Sequence, residues 1–174
     1  MTVSSEIASR DTGALDRMFR THYERVARVT CRVIHDQARA EELAVDVFLK
    51  WWRNPSAHGD HAEGWLYRTA VRQALDELRR QRRRERVEWL LQYALRTPPT
   101  PEHLYAASEE QRRVRDVLAA VSHRHAELLL LRHEGLSYQD IAVALDLKAT
   151  YVGSLLSRAQ DAFRKEYVKR HGTT

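Results

Sequence analysis

The chain has 174 residues, with 29 Lys and Arg against 24 Asp and Glu and 43% hydrophobic residues, a size and composition that suit one globular domain or two small ones. No window approaches the roughly 18 consecutive apolar residues of a membrane span, and residues 1–10 lack a basic stretch followed by an apolar run, so a cytoplasmic protein without membrane insertion is expected. The net charge of +5 suits a polyanionic partner, and the single cysteine, Cys31, excludes an intramolecular disulfide.

Four prolines and six glycines leave long stretches free to be helical. From Leu15 the apolar residues Leu15, Met18, Phe19, Val26, Val29, Val33 and Ile34 keep the three-and-four spacing of one helix face. Cys31 lies in this pattern and reads as a small buried side chain rather than a redox centre. After a break at His35 and Asp36, a second helix is predicted over residues 38–53. Leu43, Val47, Phe48, Trp51 and Trp52 form its buried stripe, and Glu41, Glu42, Asp46 and Lys50 its other side.

Residues 54–60, Asn-Pro-Ser-Ala-His-Gly-Asp, combine turn formers and read as a polar, exposed loop. A third helix begins near His61 and runs through Trp65, Leu66, Ala70, Leu75 and Leu78 into an arginine run (Arg79, Arg80, Arg82, Arg83, Arg84, Arg86), with a further helical stretch at residues 87–95. Thr97-Pro98-Pro99-Thr100-Pro101 has the composition of an extended linker. The expected organisation is thus all-α, with two small helical domains at residues 10–95 and 109–170 joined by a linker at 96–108.

Beyond the linker, Val114, Val117, Leu118 and Val121 mark one helix, and the apolar run at residues 128–131 marks a deeply buried second one that stops at Gly135. Ser137 is placed as the N-cap of a short helix over residues 138–145. A turn at 146–149 leads to a last helix that carries Val152, Leu155, Leu156, Ala159 and Phe163 inward. Turn, capped short helix, tight turn and second helix make a helix-turn-helix, in which small Ala142 permits a close crossing and the second helix faces the major groove. Lys148, Thr150, Tyr151, Ser154, Ser157 and Arg158 are its outward residues; a plain helical hairpin used only for packing has the same periodicity.

The order Leu129-Leu130-Leu131-Arg132, Gly135-Leu136-Ser137-Tyr138, Ile141-Ala142 and Leu156-Ser157-Arg158-Ala159 resembles region 4 of bacterial sigma factors of the extracytoplasmic-function group. Ala40-Glu41-Glu42-Leu43, the segment Asp46-Val47-Phe48-Leu49-Lys50-Trp51-Trp52, Gly64-Trp65-Leu66-Tyr67-Arg68-Thr69-Ala70 and Leu75-Asp76-Glu77-Leu78-Arg79-Arg80 resemble region 2 of the same group. The likeness covers residues 15–167 in the family's order, with the linker where the family has one.

The resemblance implies a protein without catalysis or cofactor of its own that joins core RNA polymerase, directs it to promoter DNA and helps to melt the start site. Glu42, Asp46, Phe48, Lys50 and Trp52 would dock on the polymerase, the carboxylates suiting a basic partner; a solvated helix face is the alternative. Asn54, His58, Asp60 and Tyr67 would hold an unpaired base of the minus-ten element, and Arg68, Arg72, Arg79, Arg80 and Arg83 would follow the phosphate backbone. Trp65 is also available for stacking but is assigned to the core. The region-4 helix would read the minus-thirty-five element, and an anti-sigma protein covering both modules is an implied partner.

The chain departs from the family pattern at Val45, where glutamine is usual, and at Val71-Arg72, where arginine-asparagine is common. It departs again at Gly153 and Leu155, which replace residues usually basic and are expected to weaken phosphate contacts. His58, Asp60 and His61, and His123 with His125, lack the three or four ligands of a zinc site, and no phosphate loop, nucleophile elbow or His-Glu-x-x-His is present, so neither metal nor enzyme activity is expected. Two rival functions stand beside the sigma reading. One is a helix-turn-helix regulator without polymerase contact, and the other is a sigma-mimicking module that sequesters a regulator.

Overall fold

A computed structural model describes residues 3–95 and 109–172 of the chain. Its regular elements, among the described residues, are α1 Val3–Ile34, α2 Gln37–Trp52, α3 Ala62–Leu95, α4 Glu109–Ala120, α5 His123–His133, α6 Tyr138–Leu145 and α7 Ala149–His171, with a 3-10 turn at Pro55–Ala57. The all-helical class expected from the sequence is what is seen. No helix among the described residues is long and apolar enough to cross a membrane. The expected linker at 96–108 lies outside the described residues.

α1, α2 and α3 form one bundle. Val26, Val29 and Val33 of α1 meet Leu43, Val47, Phe48 and Trp51 of α2 and Leu66, Leu75 and Leu78 of α3, all buried. Each such side chain stabilises the fold by about 1.5–3 kcal/mol, and Leu75→Ala would cost about 2–5 kcal/mol through the cavity it leaves. Buried Ala40, Ala44, Ala70 and Ala74 let the helices approach closely. At the α1/α2 corner His35 takes φ +57°, and the Asp36 carboxylate accepts the Arg39 amide at 3.0 Å, an N-cap that starts α2. The buried Thr30 hydroxyl lies 2.9 Å from the Ala27 carbonyl and 3.0 Å from that of Ala40, tying α1 to α2.

α4 to α7 form the second bundle. Ser122 caps α5 by accepting the His125 amide at 3.2 Å. Gly135, at φ +85°, ends α5 in the left-handed conformation, with the Leu136 amide returning to the Leu131 carbonyl. Ser137 and Asp140 make a reciprocal capping box at the start of α6, and Asp146, at φ +53°, closes it. Val152, Leu156 and Ala159 of α7 are buried beneath, with Leu155 and Phe163 packed at the edge of the core.

Several local expectations change. α3 continues without a break through residue 95 instead of yielding to a separate stretch, because arginine is a good helix former and nothing in the run interrupts it; Arg82 pairs with Glu85 at 2.9 Å along the helix. Trp52 is exposed rather than on the buried stripe of α2. Cys31 is half-buried, and so are Leu129 and Leu130, because only Leu128 and Leu131 of that run face the core at helical spacing.

Candidate nucleic-acid and partner surfaces

The outer face of α2 carries Glu42, Asp46 and Lys50, all exposed, with Val45 and Trp52 exposed among them. Arg39 donates to Glu42 at 2.8 Å, one turn earlier. Apolar residues set within a charged face can pack on a partner helix while the carboxylates meet cations. Phe48 does not belong to this face. It is 1% exposed, its ring 5.0 Å from that of Phe19, because its helical position turns it toward α1. The sequence assignment of Phe48 to polymerase contact is corrected to core.

The loop of residues 54–60 is anchored rather than freely solvated. The Trp51 indole donates to the Ala57 carbonyl at 3.0 Å, and the His58 Nε2–H donates to the Trp51 carbonyl at 3.0 Å, the two rings lying 4.3 Å apart. Ala57 is buried and His58 half-buried, while Asp60 is exposed; the Ser56 hydroxyl donates to the half-buried Asn54 side chain at 2.7 Å.

Tyr67 offers no face for stacking a base. It is 2% exposed, its hydroxyl is hydrogen-bonded to His22 at 3.1 Å, and the Arg25 guanidinium covers its ring at 4.5 Å. Burial pushes its phenol up to about 12, against the opposing pull of Arg25. The assignment of Tyr67 to DNA is corrected to core, since stacking needs an open ring face. Trp65, assigned to the core from sequence, is half-buried and packs against it.

Along α3, Arg68, Arg72, Arg79 and Arg82 fall on one side of the helix, since their spacings of four, seven and three residues return to nearly the same angle. This side meets the second bundle. Arg72 pairs with Glu127 of α5, and Arg79 donates to the Val121 carbonyl at 3.1 Å. Arg82, which the sequence reading did not include among the site residues, pairs with Asp116 of α4 at 2.8 Å. Arg68 is half-buried. Desolvation first, then the Arg72 charge, lower its pKa from the ordinary value, against the carboxylates of Glu127 and Asp146. Arg83, four residues after Arg79, borders the same side and is exposed; Arg80 is turned further round, exposed and within 3.4 Å of Glu77.

Glu77 and Glu127 are buried carboxylates that sequence reasoning passed over. Their signal was available: each is an acid at an inward position of an apolar pattern, Leu75-Asp76-Glu77-Leu78 and Ala126-Glu127-Leu128. Glu77 binds Arg39 of α2 at 3.2 Å and Arg84 at 2.9 Å. Burial alone would raise its pKa, but these guanidinium groups outweigh burial and hold it below the usual value.

In the helix-turn-helix, Lys148, Thr150, Tyr151, Ser154, Ser157 and Arg158 are all exposed at the start of α7. Gly153 and Leu155 are half-buried. A Cβ on Gly153 would lie 3.5 Å from the Tyr138 ring of α6, and Leu155 packs on the core. Both positions are less exposed than the six outward residues they border.

A model described as Sigma-70 region 2 matches residues 18–84, which lie within the first bundle. The chain is 32% identical to "ECF RNA polymerase sigma factor SigE" of Mycolicibacterium smegmatis over 166 residues, covering 91% of this chain and 63% of that protein. It is 30% identical to "ECF RNA polymerase sigma-E factor" of Haemophilus influenzae over 163 residues, covering 87% and 86%. Among solved structures, the sigma factor RpoE of Bartonella quintana, crystallised with the anti-sigma factor NepR, matches with a TM-score of 0.51 at 16% identity, covering 87% of this chain and 94% of that one. At that identity the likeness is one of fold.

Proposed function

We propose a function from the family: the chain belongs to the extracytoplasmic-function group of the sigma-70 RNA polymerase sigma factors. It spans 63% of the length of the SigE relative and 86% of the Haemophilus one. On this reading the protein binds core RNA polymerase, brings it to promoter DNA and helps to hold the strands open, while the polymerase performs the catalysis. The observation that carries the reading is that one chain has both an exposed, carboxylate-bearing α2 face and a capped helix-turn-helix with a polar outward face.

Glu42, Asp46, Lys50 and Trp52, with Val45, form the polymerase surface. The exposed apolar residues supply contact area and the carboxylates supply complementarity to a basic partner. Asn54, His58 and Asp60 present the loop that meets the melted strand, and Arg68, Arg72, Arg79, Arg80 and Arg83 supply phosphate contacts that add affinity without sequence information. Lys148, Thr150, Tyr151, Ser154, Ser157 and Arg158 enter the major groove at the upstream element. An anti-sigma protein is a further proposed partner, as for the Bartonella relative, and the proposed location is the cytoplasm, where the polymerase works.

The test is transcription by purified core RNA polymerase on a promoter library with and without the protein, with start sites mapped by sequencing. Discrete starts that require the protein are expected. DNA binding without any polymerase binding would instead support a helix-turn-helix regulator.

A further inference from the structure

A cleft of about 470 Å³, within the size range of small-molecule sites, lies where α1 faces α4, α5 and α7. Val29 of α1 forms part of one wall, and Val114, Leu118, Leu129, Leu130 and Phe163 line the others. Val29 and Leu118 are buried and the other four half-buried, so the walls are apolar surface only partly withdrawn from water. An apolar body placed between them would itself gain by leaving water.

The charged groups of the lining are unevenly matched. Glu134 is held by Arg32 at 2.7 Å, and Glu110 accepts the Tyr167 hydroxyl at 3.0 Å. Arg115 of α4 is different. Its Nε is buried and has no hydrogen-bond partner among the described residues, and a buried donor without an acceptor is costly. Burial first, then the charge of Arg82, lower the Arg115 pKa from its ordinary value, against the pull of Asp116 and Glu85. At His35, across the cleft on the α1 side, burial and then the Arg115 charge lower the pKa, against a hydrogen bond with the Arg32 backbone. A desolvated cation beside a second cation is the setting that a bound anion relieves.

We infer that this cleft is a binding site for an organic acid with an apolar body, its acid group received by Arg115 and its body by the six apolar side chains. An acid oxygen that accepts from the Arg115 Nε–H makes a charge-assisted hydrogen bond, and a carboxylate can take a second from the same planar fork. Both halves of the ligand are needed. A short acid lacks the body that leaves water, and an alcohol of equal length lacks the charge. None of the residues assigned to DNA or polymerase lines the cleft, so the inference goes beyond the proposed function and is tested apart from it.

The test is isothermal titration of the full chain with decanoate, decanol and acetate, each below any micelle-forming concentration. Decanoate should bind at one site, at least tenfold more tightly than either of the others. Arg115→Gln should weaken decanoate at least about tenfold, the factor for one charge-assisted hydrogen bond, and leave decanol unchanged. Circular dichroism checks that the variant is folded. In the parent chain, methyl NMR shifts on adding decanoate should centre on Val114, Leu129 and Leu130, a readout that needs no variant. Absence of decanoate binding, shifts centred elsewhere, or a folded Arg115→Gln that binds decanoate as the parent does would overturn the site.

Discussion

Replacing Glu77 with glutamine tests the junction that ties α2 to α3. The carboxylate, buried between the helices, is shared by Arg39, Arg80 and Arg84, whose side chains are 37%, 59% and 64% exposed. Breaking a fully buried pair costs about 3–5 kcal/mol. Here the cations stand largely in solvent and glutamine keeps an acceptor, so screening reduces the expected loss to about 1–3 kcal/mol. For a chain of this length that corresponds to a fall in Tm of roughly 3–10 °C, read by far-ultraviolet circular dichroism.

The pH dependence supplies an internal control for Glu77→Gln. The folded pKa of Glu77 lies below its unfolded value, because the arginine pairs outweigh the opposing effect of burial. Its contribution is therefore complete above the unfolded pKa of about 4.3 and is lost as the pH falls through the folded one. The gap in Tm between parent and variant should be full near neutrality and shrink below pH ~4. An unchanged Tm at neutrality, or a gap that stays constant into acid, would refute the assignment of Glu77 as an ionised tie.

Other substitutions probe the second bundle and the loop. Ser137→Ala removes the capping box and should lower stability by about 1 kcal/mol, with faster amide hydrogen exchange confined to the start of α6. Gly153→Ala should raise stability by up to about 1 kcal/mol, since the added methyl meets the Tyr138 ring at an ordinary 3.5 Å; a lower Tm would show that the approach is tighter than that. Lys148→Ala and Arg158→Ala should each flatten the salt dependence of DNA binding by about 0.9, the release expected when one phosphate is no longer neutralised, measured by fluorescence anisotropy. Trp51→Phe removes the indole donor to Ala57, and a changed near-ultraviolet spectrum with loss of about 1 kcal/mol is expected as the loop loses its anchor.

The sequence by itself determined the all-helical class, the cap at Ser137, the stop at Gly135 and the family. Periodicity, the stop at Gly135 and the cap at Ser137 are local signals, each written in a few neighbouring residues. The outward face of the last helix was legible for the same reason, because six exposed positions follow from one helical spacing. Which side of an aromatic residue meets solvent was not legible. Phe48 and Tyr67 stand in segments that carry both core and contact residues, and only the packing of α1 against them sends both inward. The same holds for charge. An arginine run announces affinity for anions, but whether DNA or Glu127, Asp116 and the end of α4 supplies the anion depends on pairings between residues some 30 to 60 positions apart in the chain. No local pattern encodes such pairings, because they are decided by how two separately legible bundles come together.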